Sequence, residues 1–354
     1  MSPALRWVFV LTAGMVMSVV CAESPFYPDK LNLMVTVDNH GQAHAVTALQ
    51  DWERRRAHIL ANMQLVMGEM PPRSRRCPLD MQVLEETRGL HCRRLKITFV
   101  SEPGDRVPAY LFLPQRAGKL PAVLCLHQTT SIGKGEPAGL GGLENLHYAR
   151  ELAQRGCVTL APDYPGYGEY QCDPYAMGYA SATMKGIWNH RRALDLLQSL
   201  PQVDPERLCC IGHSLGGHNT LFLAAFDERV KVAVTSCGFN SFARYMGGNL
   251  AGWSHKGYMP RIKERYGCDP ARMPFDFTEV LGAIAPRAVF ANAPAGDSNF
   301  AVSGVEDCLR AATPVYALYG ATDRLQAAHP DCGHDFPPDV REQAYEFMDR
   351  ILQH

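Results

Sequence analysis

The feature that most constrains this chain is a glycine-flanked serine between a strand-like run and a helix-like run. The hexapeptide GHSLGG at residues 212–217 follows the largely apolar residues 207–211 and precedes the helix-like residues 218–226. A strand, a sharp turn with serine at the apex of G-x-S-x-G, and a helix form the nucleophile-elbow pattern. Residues without side chains let the strand and the helix approach closely, while the serine hydroxyl projects above the sheet. The pattern predicts Ser214 as a nucleophile; the plainer alternative is a Gly-rich turn with a helix-capping serine.

Apolar runs alternate with helix-like runs over most of the chain. The predicted buried strands are residues 121–127, 157–161, 207–211, 230–236, 287–292 and 325–329. The predicted helices between and after them are residues 146–154, 180–200, 218–226, 305–312 and 340–352. Continuously apolar strands that alternate with helices form mostly parallel sheets covered on both faces. With antiparallel strands expected over residues 80–114, the sequence predicts an α/β fold with a mostly parallel central sheet and helices on both faces.

The rhythm of strands and helices also suggests how the chain is divided. We expect residues 91–354 to form the catalytic domain. Residues 23–90 are expected to supply a loop, a helix over 47–70 and a first strand that pack on its core. Residues 238–285 interrupt the alternation, so we expect an insertion, or lid, over the carboxyl ends of the strands, where ligands bind in such sheets.

Residues 1–22 are predicted to be a secretory signal peptide. Arg6 precedes the mostly apolar residues 7–20, and Val20 and Ala22 are the small residues before the expected cleavage. We therefore expect an exported protein, periplasmic or secreted, whose mature form has no membrane span. The apolar stretch is short for a span, and an uncleaved anchor is the alternative. An intact Met1 on the secreted protein would contradict cleavage.

The net charge and the cysteine content limit the classes of function that the chain could have. The 354 residues carry a formal net charge of -1, so nothing indicates electrostatic attraction to nucleic acid or to an anionic membrane. Export permits disulfides, and eleven of the twelve cysteines follow the expected cleavage point. Those expected to be buried as small hydrophobes are Cys125, Cys157, Cys209, Cys210 and Cys237. The other six lie in predicted loops or near element ends, where some of them could pair.

Serine is a weak nucleophile at its free pKa, so Ser214 needs a base and an acid that orients the base. In a fold of this kind the chain order is serine, acid, histidine. Asp297 follows the predicted strand 287–292, and His334 lies in a Gly-His loop just before the last predicted helix. We predict these two as the acid and the base. The alternatives are His329 for the base and Asp323 or Asp307 for the acid.

An oxyanion formed at Ser214 needs two fixed N–H donors. The backbone amide of Leu215 is one expected donor, because it follows the nucleophile. The other should come from the loop after the strand that ends at residue 127, where Gln128 is our prediction and Thr129 the alternative. Two histidines flank the elbow, His213 and His218, and we expect them to pack or to orient neighbouring groups.

Residues from about 90 to 354 resemble the α/β-hydrolase superfamily. Within it they are similar to the dienelactone hydrolase, acetyl xylan esterase and prolyl-oligopeptidase-like group of exported bacterial hydrolases. The likeness is carried by LHQT at 126–129, APDYPGYG at 161–168, GHSLGG at 212–217, Asp297, and CGHDF at 332–336. The chain departs from the group at Gln128, where many relatives have glycine, and at Ser214, where dienelactone hydrolases proper have cysteine. It also has no counterpart of the N-terminal propeller of prolyl oligopeptidases.

These residues and the resemblance lead to one expected function. We predict a carboxylesterase that cleaves acyl esters through an acyl-enzyme, with acetylated or aromatic esters of polysaccharides as the first candidate substrates. The aromatic residues Tyr245, Trp253 and Tyr258 of the insertion suit a sugar ligand, but they suit the core of a lid as well. Neither a cofactor nor a metal is expected, and H-E-x-x-H is absent. The alternatives are a peptidase or amidase of the prolyl-oligopeptidase-like group and a non-catalytic binding protein of the same fold.

Overall fold

The computed structural model describes residues 24–353, so the expected signal peptide lies outside the described residues. Nine of the described strands form one sheet. They are β3 (Gln82–Arg88), β4 (Cys92–Glu102), β5 (Asp105–Pro114), β6 (Leu120–Leu126), β7 (Val158–Pro162), β8 (Val203–His213), β9 (Val230–Ser236), β10 (Ala288–Asn292) and β11 (Leu325–Ala328). Two further strands, β1 (Val35–Val37) and β2 (Ala43–Ala45), form a separate antiparallel hairpin in a stretch that we expected to be a loop.

The sheet has the order β11-β10-β9-β8-β6-β7-β5-β4-β3. The six strands from β11 to β7 are parallel, and β5, β4 and β3 continue the sheet in antiparallel pairings. After β6 the chain places β7 on one side of it and then returns to add β8 on the other side. The carboxyl ends of the parallel strands therefore meet at one edge, around a point where the strand order reverses, which is where open α/β sheets bind ligands.

Eight helices accompany the sheet within the described residues. They are α1 (Leu49–Met67), α2 (Tyr148–Arg155), α3 (Ala182–Ser199), α4 (Leu215–Phe226), α5 (Arg261–Glu264), α6 (Phe277–Ile284), α7 (Val302–Leu318) and α8 (Pro338–Leu352). Side chains alternate between the two faces of a strand. Accordingly, Leu124 of β6 joins the large core formed with α1, α3, α4, α6 and α7, whereas Val123 and Cys125 join the second core, formed with α2 and α8. The predicted coverage of both faces is confirmed.

The segment before the sheet packs against its helical layer. Trp52 of α1 is fully buried, and the guanidinium of Arg55 forms a buried ion pair with Glu279 of α6. Lys30 lies 3.5 Å from the same carboxylate. Unpaired buried charges are costly, so this shared ion pair fixes α1 and the residues before it to α6.

Residues 238–285 lie beside the loops at the carboxyl ends of the strands. Tyr258 reaches the loop after β6, where its hydroxyl lies 3.2 Å from the Thr129 hydroxyl. Trp253 packs against the rings of Phe242, Tyr245, Tyr258, Phe277 and Phe300. Trp253 and Tyr245 are buried. These two aromatic residues therefore form the core of the insertion, which is the second of the two roles that the sequence allowed for them.

None of the helices between residues 24 and 353 combines the length and the apolar character that a membrane crossing requires. The eleven cysteines in that range are all free thiols, and the five expected to be buried are buried. The pairing considered for the loop cysteines is therefore absent from the described residues.

Candidate active site

Ser214 occupies the strained turn that the sequence predicts. β8 ends at His213, α4 begins at Leu215, and the serine between them has φ 52° and ψ -113°. The backbone N–H of Ser214 donates to the carbonyl of Ser236 at the end of β9, over 2.8 Å. A residue with a side chain adopts positive φ only where its surroundings impose it. The neighbouring strand and the helix start therefore fix the serine at the apex of the elbow.

Two glycines of the elbow are required by close backbone contacts. A Cβ on Gly216 would lie 2.0 Å from the carbonyl oxygen of Leu126, at the end of β6. A Cβ on Gly212 would lie 2.3 Å from the carbonyl carbon of Gly216. No side chain fits at such distances, so only glycine lets the first turn of α4 settle against β8 and β6.

Asp297 and His334 form a hydrogen-bonded pair. The Nδ1 of His334 lies 2.9 Å from Oδ2 and 3.1 Å from Oδ1 of Asp297, whose side chain is 1% exposed. The amides of Asn299 and Phe300 donate to the same Oδ1. Burial opposes ionisation of Asp297, but the hydrogen bond and charge of His334, together with these amides, hold its pKa below the usual value. The carboxylate is thus ionised and placed to hold the imidazole in one orientation.

The loop that carries His334 is fixed beside the elbow. The ring of His334 contacts the ring of His213, the residue before Ser214, edge to face with 4.7 Å between the ring centroids. The side-chain amide of Asn292, at the end of β10, donates to the Asp335 carbonyl over 2.8 Å. The hydroxyl of Ser214 forms no hydrogen bond with His334 in the part of the chain that is described. A base acts from about 2.6–3.2 Å, often longer before substrate binds, so the serine–imidazole contact of the triad stays a prediction.

The alternative base and acids occupy other environments. The Nδ1 of His329 lies 2.9 Å from the Ala293 carbonyl, at the junction of β10 and β11. Asp307, on α7, pairs with Arg244. Asp323 is exposed in a short 3-10 turn. Neither aspartate is bonded to a histidine in the described structure, which favours the assignment of Asp297 and His334.

The two expected oxyanion donors have free amides at the elbow. Within residues 24–353, neither the N–H of Leu215 nor that of Gln128 donates to a protein acceptor. The contact of Gly216 with Leu126 brings the loop after β6 against the start of α4. Thr129, the alternative donor, also has a free amide. Both expected donors thus lie beside the nucleophile, and the choice of Gln128 stays a prediction.

His127 fixes the conformation of this loop, a role that sequence reasoning did not assign. Its Nε2 accepts from the amide of Tyr164 over 2.9 Å, so its Nδ1 carries the proton and donates to the Gln128 carbonyl over 2.6 Å. Burial lowers the pKa of His127, so the ring stays neutral and can accept a hydrogen bond at Nε2 while it donates one from Nδ1. With its carbonyl held in this way, the peptide that follows Gln128 has a fixed orientation.

A buried ion pair, also missed from the sequence, fixes the far part of the same loop. Lys134 donates to Asp163 twice, through its backbone amide and through Nζ, each over 2.7 Å, and Nζ reaches Glu169 as well. A Cβ on Gly133 or on Gly168 would lie 2.2 Å from Oδ1 of Asp163. In the sequence, the Pro162-Asp163 step directly after the predicted strand 157–161 is a signal that could have indicated this ion pair. These contacts join the loop after β6 to the loop after β7.

The two joined loops enclose a surface cleft of about 380 Å³. It is lined by Thr129, Thr130, Ser131, Gly166, Tyr167, Gly168 and Gln171. Gln128, the expected oxyanion donor, directly precedes Thr129 in the chain, so the cleft wall includes the residue next to that donor. Hydroxyl, amide and glycine backbone groups in its wall can donate to and accept from a polar ligand.

Comparison with known proteins finds similarity to hydrolases and esterases. A family model described as glucuronyl esterase of fungi matches residues 173–320, less than half of the chain. "Putative hydrolase YtaP" of Bacillus subtilis is 28% identical over 261 residues, which are 70% of this chain and 84% of that protein. The acetyl esterase Axe7A of Xylanibacter ruminicola is 25% identical over 189 residues, 48% of this chain and 40% of that protein.

Solved structures share the fold. A glucuronoyl esterase from Solibacter usitatus superposes with a TM-score of 0.67 at 19% identity, over 93% of this chain and 99% of that one. A glucuronoyl esterase from Caldicellulosiruptor kristjansonii gives a TM-score of 0.68 at 20% identity, over 94% of this chain and 92% of that one. Together with the strand order, these matches confirm the predicted α/β-hydrolase fold.

Proposed function

We propose that this protein is a serine carboxylesterase that cleaves esters of carbohydrates. The observation that carries the proposal is the ionised, hydrogen-bonded Asp297–His334 pair, held on the loop that packs beside the strained Ser214 elbow. Such a pair beside a serine at the start of a helix is the arrangement that activates a hydroxyl for attack on a carbonyl.

Each group has a defined part in the first half of the reaction. The imidazole of His334 takes the hydroxyl proton as Ser214 Oγ bonds to the ester carbonyl carbon, and the carbonyl oxygen becomes an oxyanion. The amides of Leu215 and Gln128 donate to that oxygen, aided by the positive end of the α4 dipole. Asp297 stabilises the imidazolium that forms. Collapse of the intermediate transfers the proton to the alcohol, which leaves, and the acyl group stays on the serine.

Water completes the cycle by the same route. His334 removes a proton from water as the water oxygen attacks the acyl carbon, and the oxyanion occupies the same two amides. Collapse breaks the bond to Ser214 Oγ, which recovers its proton from the imidazolium, and the carboxylic acid is released. Every proton in this scheme moves through His334, so the mechanism calls for no cofactor.

The carbohydrate part of the proposal is supported by the cleft and by the matches. The names of the similar proteins include glucuronoyl esterases, in which a sugar supplies the acid of the ester, and acetyl esterases. The side chains of Thr129, Thr130, Ser131 and Gln171 give the cleft the hydrogen-bonding groups that sugar hydroxyls require. Export, as predicted from residues 1–22, would bring the enzyme to extracellular polysaccharide.

The test compares wild type with Ser214→Ala on a panel of substrates. The panel contains p-nitrophenyl acetate, acetylated xylo-oligosaccharides, methyl esters of glucuronic acid and peptide anilides. We expect hydrolysis of the esters, and a loss of about 10⁴–10⁶-fold in kcat for Ser214→Ala. Near-normal turnover by Ser214→Ala would contradict the nucleophile. Peptide cleavage without ester cleavage would favour an amidase, and no turnover at all would favour a binding protein.

A matched serine substitution distinguishes a loss of catalysis from a loss of folded protein. Ser199 ends α3, at the opposite end of the sheet from the elbow, and among residues 24–353 its hydroxyl bonds only the Leu196 carbonyl, over 2.7 Å. Ser199→Ala removes the same atom as Ser214→Ala and should leave turnover unchanged. A comparable loss in both variants would show that the assay reports folding rather than catalysis.

A further inference from the structure

Three side chains of metal-binding type converge next to the catalytic pair. A ring nitrogen of His213, the Sγ of Cys237 and a ring nitrogen of His334 all lie within 4.8 Å of one another. His213 ends β8, Cys237 follows β9, and His334 lies on the loop before α8. Two imidazoles and one thiol are the ligands that Zn²⁺ and related soft divalent ions prefer.

The structure leaves ligand atoms available in this cluster. Nδ1 of His213 lies 2.8 Å from the Ser236 hydroxyl, whereas its buried Nε2 has no hydrogen-bond partner in the described structure. Buried polar atoms are usually paired, so an unpaired nitrogen on one of the three cluster residues points to a missing partner.

From this convergence we infer that His213, Cys237 and His334 form an inhibitory site for a soft divalent cation such as Zn²⁺. The inference rests on the proposed role of His334 as the base. The ion bonds to the two imidazole nitrogens and to the sulfur, the thiol proton passes to solvent, and water fills the fourth position. A metal-bound His334 cannot take a proton from Ser214.

The geometry allows the site to close by a small movement. Tetrahedral zinc with bonds of about 2.0–2.3 Å places its ligand atoms about 3.3–3.7 Å apart, so the atoms need to approach by about 1 Å. The His334 side chain is 26% exposed and lies on a loop, whereas His213 and Cys237 are buried at strand ends. His334 is thus the ligand that moves. Asp297 keeps its Nδ1, as carboxylates commonly do behind metal-bound histidines.

The binding test needs no substrate. Metal-free Ser214→Ala protein is titrated with Cd²⁺, and the thiolate-to-metal absorption band is recorded. We expect one ion per chain and loss of the band in the Cys237→Ser background, since serine keeps the shape but not the sulfur. Cys332→Ser is the matched control, because Cys332 precedes His334 by two residues but is outside the cluster. A band that survives Cys237→Ser, or that Cys332→Ser abolishes, overturns the site.

The inhibition test uses active enzyme. We expect Zn²⁺ to block ester hydrolysis reversibly, with recovery on addition of a chelator, while Mg²⁺ at the same concentration has no effect. Cys237→Ser should keep its basal activity. It should need at least about tenfold more Zn²⁺ for the same degree of inhibition, because even the loss of a group that only supports a metal ligand typically lowers metal affinity by that factor or more. His213→Gln should weaken Cd²⁺ binding as a second, independent substitution. Equal Zn²⁺ sensitivity of wild type and Cys237→Ser overturns the inference.

The two experiments keep this inference separate from the proposed function. If Ser214→Ala retained hydrolysis, the nucleophile assignment would fail, yet the Cd²⁺ band would still report whether the site exists. If the band formed and Zn²⁺ did not inhibit, the inhibitory role would be refuted while the esterase could stand.

Discussion

Replacement of Asp297 by asparagine tests the orientation of His334 with almost no change in shape. In the wild type, Oδ1 accepts from the amides of Asn299 and Phe300, while Oδ2 lies 2.9 Å from Nδ1 of His334. In Asp297→Asn the side-chain oxygen must stay with the two amides, since an NH₂ group cannot accept from them. The NH₂ group then faces Nδ1.

The consequence is the wrong tautomer of the imidazole. An NH₂ donor facing Nδ1 makes that nitrogen an acceptor, so the ring proton moves to Nε2, the nitrogen that should receive the Ser214 proton. The same substitution in a serine protease that has this triad lowers kcat about 10⁴-fold. That factor corresponds to about 5 kcal/mol of transition-state stabilisation. We expect a loss of this size for Asp297→Asn, with KM little changed.

The assay is steady-state hydrolysis of p-nitrophenyl acetate, with thermal unfolding measured on the same samples. Asp323→Asn is the matched control, because Asp323 is exposed and was the alternative acid. It should retain wild-type turnover. If Asp297→Asn stayed within about tenfold of wild type, or if Asp323→Asn showed the large loss, the assignment of the acid would be wrong.

Two further substitutions probe how the fold supports the site. Gly216→Ala should destabilise the protein by about 3 kcal/mol or more and abolish activity, because the new Cβ would lie 2.0 Å from the Leu126 carbonyl oxygen. Gly333→Ala should be tolerated, because apart from its chain neighbours no described residue has an atom within 4 Å of the new Cβ. Equal unfolding midpoints for the two variants would contradict the expected difference. Burial opposes ionisation of Asp227, but hydrogen bonds and charge from Arg229 and Arg191 lower its pKa. The stability that wild type gains over Asp227→Asn should therefore be complete above about pH 4 and disappear as the pH falls through the folded pKa. A denaturant-unfolding difference that grows on acidification would refute that sign.

The central sheet could be predicted because its strands are buried on both faces. Such strands are continuous apolar runs, and the runs at residues 121–127, 157–161 and 230–236 correspond closely to β6, β7 and β9. α7 was predicted to cover only 305–312 but extends from Val302 to Leu318 with Pro314 inside it. The tertiary packing of the helix, including buried Val315 and Tyr316, overrides a residue that normally ends helices.

The insertion could be predicted in position but not in structure. α6 lies within it and was not predicted, although Asp276 and Glu279 form a capping box at its start. α6 has only eight residues, all of them buried, whereas helical periodicity is recognised over windows of about 11–18 residues. Its partners, Arg55 and Lys30 among them, lie more than 200 residues away in the chain. Such contacts are not local properties of sequence.

More of the candidate site than of the loops around it could be predicted from the sequence, and the glycines of the elbow show why. Gly212 lies against the first turn of α4, Gly216 against the end of β6, and Gly217 against Gly238 after β9. The glycines of this one short motif therefore indicate that three strand ends pack closely around Ser214. Because parallel strands direct their carboxyl ends to one edge of the sheet, the loops that carry Asp297 and His334 are expected at the same edge.

No comparable short motif in the sequence indicates the contacts that shape the cleft. Lys134 and Asp163 are 29 residues apart, and each alone resembles an ordinary surface charge in the sequence. They are buried because the loops after β6 and β7 close on each other, and this closure depends on Gly133 and Gly168 leaving room for one carboxylate. The position of the candidate site is thus encoded by backbone contacts within a motif, whereas the shape of the cleft is encoded by pairs of distant residues.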